Sequence, residues 1–384
     1  MFRLSRDQWL APAGAGLFAV LLTFAVMVPS LRAAGWSVTA LPRVDSKTGM
    51  GVVARRIDSS FRLVHPGSYD GQFYWGIAVD PIAVGDVHQA FDTASYRYGH
   101  PLYGWFGWLF SAGQAPAAAA ALVGVSLLAM FAAAAAAAAL GPARGLFVAL
   151  NPGLLYAAAH DLGEPLAAAL LLCGLLAYFR GRWIAALVCL AFLPLAKEEL
   201  VLMPLALAVW ELVWRRALRN AALLAATVVP SLAWWVYARI TLGAWFTTGG
   251  NAIGLPLVGW KSALLKAGTE SYSRDATGSL LGESTIVVYA ALLALLAIAT
   301  LASLRLRTPL QLAFLPLAAI AACLVPKATV LLRDGLRNTG LLVALVPLVV
   351  SRDGFTLRCR AGVIAARTAA RAAHGVAPRP RGGR

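Results

Sequence analysis

Long apolar segments follow one another along most of this chain and constrain its fold more than any other feature. Residues 10–31 and 117–140 are long enough to cross a bilayer, which takes about 20 residues in a helix. Charged residues make up only 13% of the 384 positions, whereas a soluble domain carries about 25%. The sequence therefore predicts an all-α polytopic membrane protein.

The number of spans and their orientation follow from hydropathy and from arginine placement. An apolar first segment longer than the core of a signal peptide predicts an uncleaved first span. Arginines cluster on one side of the spans and in the tail, and the positive-inside rule makes that side the cytoplasm for both termini. About ten transmembrane helices are predicted, at 10–31, 117–140, 146–160, 162–179, 183–196, 200–214, 217–238, 284–304, 308–325 and 336–350.

This arrangement divides the chain into a membrane domain, 1–350, and a tail, 351–384. Two large loops of the membrane domain, at about 32–115 and 239–283, are predicted on the outer side. The tail holds eight arginines and one aspartate and is predicted to be disordered or to lie on anionic headgroups. The net charge of +16 fits contact with membrane lipids, and its placement between spans argues against a nucleic-acid partner.

Three polar corners interrupt the apolar segments on the predicted outer side. They read "AHDLGEP" at 159–165, "AKEEL" at 196–200 and "PKATVLLRDGLR" at 326–337. The apolar runs that end at the first two corners have only about 14–15 residues, too few to cross the hydrocarbon. Because charges at that depth survive only inside protein or beside water, we expect an outward-opening polar cavity.

Charged residues of the corners allow more than one role. Asp161 and Glu164 are three apart and would share one face of a helix, or would simply complement the helix dipole. Lys197 would form an internal salt bridge with its acidic neighbours, or would face an anionic ligand. Lys327, Arg333 and Arg337 break the positive-inside pattern, which points to an error in the topology or to an anion such as lipid phosphate.

The segment "SYDGQFYWGIAVDP", at 68–81, brings acids and aromatic residues to the first loop. Asp70 and Tyr74 are spaced as one helical turn, and Asp80 before Pro81 is predicted to end that helix. Arg97 in "YRYGHP" would anchor at the interface, or would clamp a phosphate or an acid. The acidic and histidine residues at 86–92 fit no strong metal-site spacing, and no metal is predicted.

Several of these motifs together resemble a known superfamily. "YDGQFYWGIAVDP", "YRYGHPLYGW", "NPGLLYAAAHDLGEPL" and "LPLAKEELVLMPLAL" are similar to a large group of bacterial membrane proteins, and the layout resembles the GT-C integral-membrane glycosyltransferases. The likeness covers most of residues 10–215 and weakens beyond them. Gly99-His100 stands where the group often has an arginine, so at this stretch the chain departs from the group's pattern.

The resemblance implies an enzyme of the bacterial inner membrane. Such an enzyme moves a sugar from a polyprenyl-phosphate-linked donor to a glycan or lipid acceptor at the outer face. It implies Asp70 as the catalytic base, with its pKa raised by burial, and Lys197 with Arg333 or Lys327 as ligands of the departing phosphate. Tyr74 and Trp75 would stack on a sugar or orient Asp70.

The remaining residues and the alternatives follow from the same comparison. No cofactor other than the lipid-linked donor is expected, because cationic side chains would stabilise the leaving group. Two other functions stay open: a transporter or flippase for a lipid-linked or anionic solute, and a non-catalytic scaffold with a GT-C-like fold. Substrate binding is also predicted for Gln72, Arg97, His160, Asp161, Glu164 and Glu198.

Overall fold

The computed structural model describes residues 6–65, 67–248, 253–267 and 282–351. Within these ranges the secondary structure is helical, apart from two isolated β-bridges at Asp45–Val64 and Ile253–Leu324. The all-α expectation is confirmed for this part of the chain. The predicted tail lies outside the described residues from position 352 onward.

Eighteen α-helices are defined in the described ranges, and short three-residue or four-residue 3-10 turns join some of them. The first nine helices are α1 (Arg6–Ala33), α2 (Gly49–Ile57), α3 (Gly71–Val79), α4 (Ala94–Arg97), α5 (Leu102–Phe110), α6 (Ala118–Leu140), α7 (Pro142–Ala149), α8 (Pro152–Ala159) and α9 (Glu164–Phe179). The remaining nine are α10 (Trp183–Ala196), α11 (Leu202–Val213), α12 (Leu218–Ala226), α13 (Val229–Leu242), α14 (Val258–Ala267), α15 (Gly282–Ser303), α16 (Pro309–Ala322), α17 (Pro326–Thr329) and α18 (Leu332–Val350).

Four helical segments are long and apolar enough to cross a membrane by length and composition. They are Leu10–Ala33, Ala115–Leu140, Leu218–Leu242 and Thr285–Ser303. Shorter apolar helices occupy Glu164–Phe179, Trp183–Ala196 and Pro309–Ala322. These helices support a membrane-associated helical protein, while the total of about ten spans stays a prediction.

The predicted span at 146–160 is wrong in its continuity. The chain forms α7 and α8 there, with a break at Leu150 and Asn151. Pro152 at the first position of α8 disfavours a helical residue before it, and the Asn151 side chain accepts hydrogen bonds from the Gly153 and Leu154 amides. Asparagine is a preferred N-cap, so the sequence begins a new helix at this point.

Two other predicted boundaries also move. The segment predicted at 217–238 consists of α12 and α13, which meet at Thr227 and Val228, and α13 runs on to Leu242. The last predicted span, 336–350, begins earlier, at Leu332. As a result, Arg333 and Arg337 lie in the first turns of α18 rather than in a loop.

The stretch between α1 and α6 corresponds to the predicted first loop, 32–115. It contains α2 to α5, and α3 is buried on almost every face, from Gly71 to Ala78. The helix ends at Val79 with Asp80 as its C-cap, as predicted. Helix α5 packs on α3 and α6, which ties this stretch to the apolar helices.

The alanine-rich part of α6 lies at the centre of the bundle. Helix α6 packs against α1, α7 and α9, and Ala133, Ala134 and Ala137 are almost fully buried. Small side chains let helix backbones approach closely. The end of α8 and the start of α9 lie beside this core, and α18 packs along α8, which places three polar helix ends next to one another.

Candidate functional site

One large cavity lies beside the starts of α9 and α18 and the turn that joins α10 to α11. Its volume is about 560 Å³, in the range of pockets that hold small molecules. One end is polar, and the rest of the wall is apolar. The polar lining residues are Tyr74, Tyr96, His100, Glu164, Lys197, Glu198, Glu199, Thr247, Arg337 and Asn338, and the apolar ones include Leu171, Leu200, Trp235, Phe246, Leu317, Ile320, Leu324, Leu341, Leu342 and Leu345.

Arg337 joins the elements of the polar end. From α18 its Nε donates to Glu164 Oε1 at 2.8 Å, and its Nη1 donates to Asp70 Oδ2 at 2.8 Å. Its side chain is only 15% exposed. A planar guanidinium can serve two carboxylates at once, and this charge-assisted pairing locks α18 to α9 and to the turn before α3.

Glu164 is the most deeply buried acid of this network, with 3% of its side chain exposed. It sits in the first turn of α9, where a negative charge also favours the helix dipole. Lys197 Nζ lies 3.5 Å from Glu164 Oε1 and 3.4 Å from Glu199 Oε1. The internal salt bridge predicted for Lys197 is therefore present, and the ammonium group also lines the cavity.

Asp70 directly precedes α3 and pairs with two arginines. Arg97 Nη1 donates to Asp70 Oδ1 at 3.0 Å, opposite the bond from Arg337. Arg97 also pairs with Asp92 through Nε and Nη2, and its guanidinium lies 3.9 Å from the ring centre of Phe73. Of the roles predicted for Arg97, the structure has the acid clamp.

The pKa of Asp70 is opposite to the expected direction. Burial raises it, but the charges of Arg337 and Arg97 outweigh burial and bring the pKa of Asp70 to about 2. The expected upward shift is therefore wrong for the protein without a ligand. A carboxylate held this acidic is a poor proton acceptor at neutral pH.

A second, much smaller pocket adjoins the main cavity and contains Asp70. Its volume is about 20 Å³. Tyr74, Tyr96, His100 and Arg337 line both pockets, so these four side chains form the wall between them. Asp70 thus faces a niche beside the cavity.

Gly71 explains why the turn at Asp70 can come so close to α8. A Cβ atom at this position would lie 2.2 Å from the His160 carbonyl oxygen and 3.1 Å from Pro42 Cα. These are backbone atoms that cannot rotate away. Only glycine lets this turn carry Asp70 to its place beside α8 and α18.

Asp161 and Glu164 do not share a helical face, which corrects the sequence-based prediction. Helix α9 begins at Glu164, and Asp161 precedes it with a positive φ of 51°. The buried Asp161 side chain turns toward Tyr103, whose hydroxyl lies 3.4 Å from Oδ1. Glu164 instead points to Lys197 and Arg337.

The other predicted residues are distributed around the cavity. Tyr74 and Glu198 line it, and Glu198 Oε2 lies 2.9 Å from His100 Nδ1. Trp75 is 1% exposed and packs on Phe61, so it occupies the core rather than a sugar-binding surface. Gln72 is also buried, near the Asp45 amide.

Three further predicted residues lie apart from the cavity wall. His160 donates from Nδ1 to the Tyr156 carbonyl oxygen and stacks on the Tyr156 ring at 4.1 Å. Arg333 lies over the Tyr69 ring at 5.5 Å, and Lys327 is exposed. None of the three is among the described residues that line the large cavity.

Three residues that line the cavity, Tyr96, His100 and Glu199, were not predicted as site residues from the sequence. Arg337 also lines the cavity; the sequence leaves an anion-binding role open for it, but nothing local connects it to Asp70. In the described ranges, no group of three or more histidine, cysteine or acidic residues is arranged to hold a metal ion.

Comparisons with protein-family models, with curated proteins and with solved structures find no match to this chain. The likeness to GT-C glycosyltransferases therefore stays a prediction.

Proposed function

We propose that the protein is a membrane glycosyltransferase of the GT-C type. It takes a sugar from a polyprenyl-phosphate-linked donor and transfers it to a glycan or lipid acceptor in the cell envelope. The proposal includes about ten spans, cytoplasmic termini and a reaction at the outer face of the bacterial inner membrane. The first loop, 32–115, would then lie outside the membrane with Asp70.

The observation that carries the proposal is the division of the cavity into a charged end and an apolar wall. A polyprenyl-phosphate sugar has the same division, with a long hydrocarbon chain, one phosphate and a polar sugar. Leucines of α9, α16 and α18 offer the chain an apolar surface. Lys197 and Arg337 stand at the charged end, where a phosphate would sit.

The residues have distinct roles in this reaction. The acceptor oxygen bonds to the anomeric carbon of the sugar, and the bond from that carbon to the phosphate oxygen breaks with its electron pair. Lys197 and Arg337 stabilise the negative charge that grows on the phosphate. Asp70 takes the proton of the acceptor hydroxyl.

Carboxylates and aromatic side chains of the polar end supply sugar recognition. Glu164, Glu198 and Tyr74 border the cavity and offer hydrogen-bonding groups to a sugar. Arg97 positions Asp70. Trp75, Lys327 and Arg333 do not line this cavity, so the proposal gives them no contact with the substrate.

The experiment measures transfer of radiolabelled sugar from lipid donor to acceptor in membranes that contain the full chain. Asp70→Asn should lower transfer by about 10²-fold or more. Asp86→Asn is the matched control, because Asp86 belongs to the same stretch but is an exposed partner of Arg56, 59% accessible. Mass spectrometry of envelope glycans and lipid-linked sugars from a deletion strain would identify the sugar.

Two results would contradict the proposal. Full activity of Asp70→Asn would remove Asp70 from the role of base. Movement of the labelled lipid across the membrane without formation of a new glycosidic bond would assign the cavity to a transporter or flippase.

A further inference from the structure

Both cations at the charged end of the cavity already hold carboxylates. Lys197 lies between Glu164 and Glu199, and Arg337 bonds to Glu164 and Asp70. An anion that enters the cavity therefore meets cations whose charge is already shared with carboxylates.

The two carboxylates held by Arg337 differ in how readily each can give it up. Glu164 is 3% exposed and would become a deeply buried charge with a single long contact to Lys197. Asp70 is 29% exposed and keeps its bond to Arg97. The bond from Arg337 to Asp70 is therefore the less costly one to break.

Arg337 is also placed to move between the two pockets. It lines both the large cavity and the small pocket of Asp70, whereas Arg97 lines only the small one. A guanidinium has five N–H donors, and the bonds to Glu164 and Asp70 use two of them. If Arg337 keeps its hydrogen bond to Glu164 and its guanidinium turns, the remaining N–H groups can face the cavity.

We propose that the donor phosphate draws Arg337 away from Asp70, so that Asp70 becomes a working base only when the cavity is occupied. This inference rests on the proposed function and adds an order to it: donor first, then activation of the acceptor. Without donor, Asp70 is held by two arginines and is a poor proton acceptor. Arg337 thus binds the donor phosphate and couples donor binding to proton transfer.

The electrostatics of Asp70 support this exchange. The charged and titratable groups that face it are Arg97 and Tyr96 of α4, His100, Tyr74 of α3, and Asp334 and Arg337 of α18. Arg337 is the strongest influence that lowers the pKa of Asp70. When it leaves, burial and Arg97 remain, and the pKa rises.

The test measures protonation of Asp70 in the purified full chain, held in phosphatidylcholine nanodiscs. Infrared difference spectra against Asp70→Asn isolate the carboxyl band, which is followed through a pH titration. The probe is geranylgeranyl phosphate, and geranylgeraniol is the control that lacks the anion. The phosphate probe should raise the proton affinity of Asp70 tenfold or more, and the alcohol should leave it unchanged.

Two variants separate the arginines. Arg337→Lys cannot bridge two carboxylates with a planar fork, so the proton affinity of Asp70 should already be high and respond little to the probe. Arg97→Lys should keep the response to the probe. The opposite pattern would overturn the role given to Arg337.

The wild-type titration decides the matter even if a variant fails to fold. Binding of the phosphate probe with no change at Asp70 would overturn the exchange and leave the proposed function standing. Binding no tighter than that of the alcohol would remove the proposed donor class, and the exchange with it.

Discussion

The contact between α8 and α18 supports a sharp test at Gly153. A Cβ atom there would lie 2.1 Å from the Leu336 carbonyl oxygen and 3.2 Å from Gly340 Cα. Ordinary van der Waals contact begins near 3.4 Å, so Gly153→Ala must separate the two helices locally by about 1.3 Å. Leu336, whose carbonyl oxygen would clash with the added Cβ atom, directly precedes Arg337.

We expect Gly153→Ala to destabilise the protein by about 1–3 kcal/mol, the usual cost of overpacking. A displacement of about 1 Å near catalytic groups costs about 10²-fold in rate, so sugar transfer should fall by about that factor. The matched control is Gly124→Ala in α6, where the added Cβ meets no atom within 4 Å. This control should gain about 0.5–1 kcal/mol from helix propensity.

The assay is denaturant unfolding of both variants in the same detergent, together with transfer in membranes. If Gly153→Ala proves as stable as Gly124→Ala, the helices do not touch as described, and the argument from this contact fails. If Gly153→Ala loses stability but keeps full transfer, the position of Arg337 does not depend on this contact.

Two further predictions concern the ion pairs of Asp70 and the N-cap of α8. The pKa of Asp70 is lowered from 3.8 to about 2, so its ion pairs stabilise the fold above about pH 4 and lose that effect as the pH falls through about 2. The unfolding free energy of wild type should thus exceed that of Asp70→Asn at neutral pH, and the difference should shrink below about pH 4 and disappear below about pH 2; a constant difference in a pH series of unfolding curves would contradict the lowered pKa. Asn151 caps α8 and also donates from Nδ2 to the Gly340 carbonyl oxygen at 2.8 Å, so Asn151→Ala should cost about 1–2 kcal/mol in the same unfolding assay. Asn151→Ser keeps a capping oxygen and should lose less, and equal losses for both variants would show that the cap adds nothing.

Much of the local structure could be predicted from the sequence. Apolar segments predicted helices, and Asp80 before Pro81 predicted the end of α3. The break at Asn151 was missed, although its signals were local, because hydropathy continues through "ALNPGLLY" without a change. Proline and an N-cap residue end a helix even where the apolar pattern does not.

The candidate site was predictable only in part. Acids and cations at the ends of short apolar helices indicated a polar cavity, and Asp70, Glu164 and Lys197 do belong to one network. The prediction failed for residues whose side-chain direction depends on the elements that pack around them. Trp75 lies within the same short helix as Tyr74, yet one faces the core and the other the cavity.

The sequence by itself determined that the chain forms apolar helices and where its charges interrupt them, because helix formation, capping and the cost of burying charge depend on nearby residues. Only the tertiary structure decided which charges meet. Asp70 and Arg337 are 267 positions apart, and no local period connects them. Their pairing comes from the packing of α18 against α8 and from the glycine that lets the turn before α3 approach.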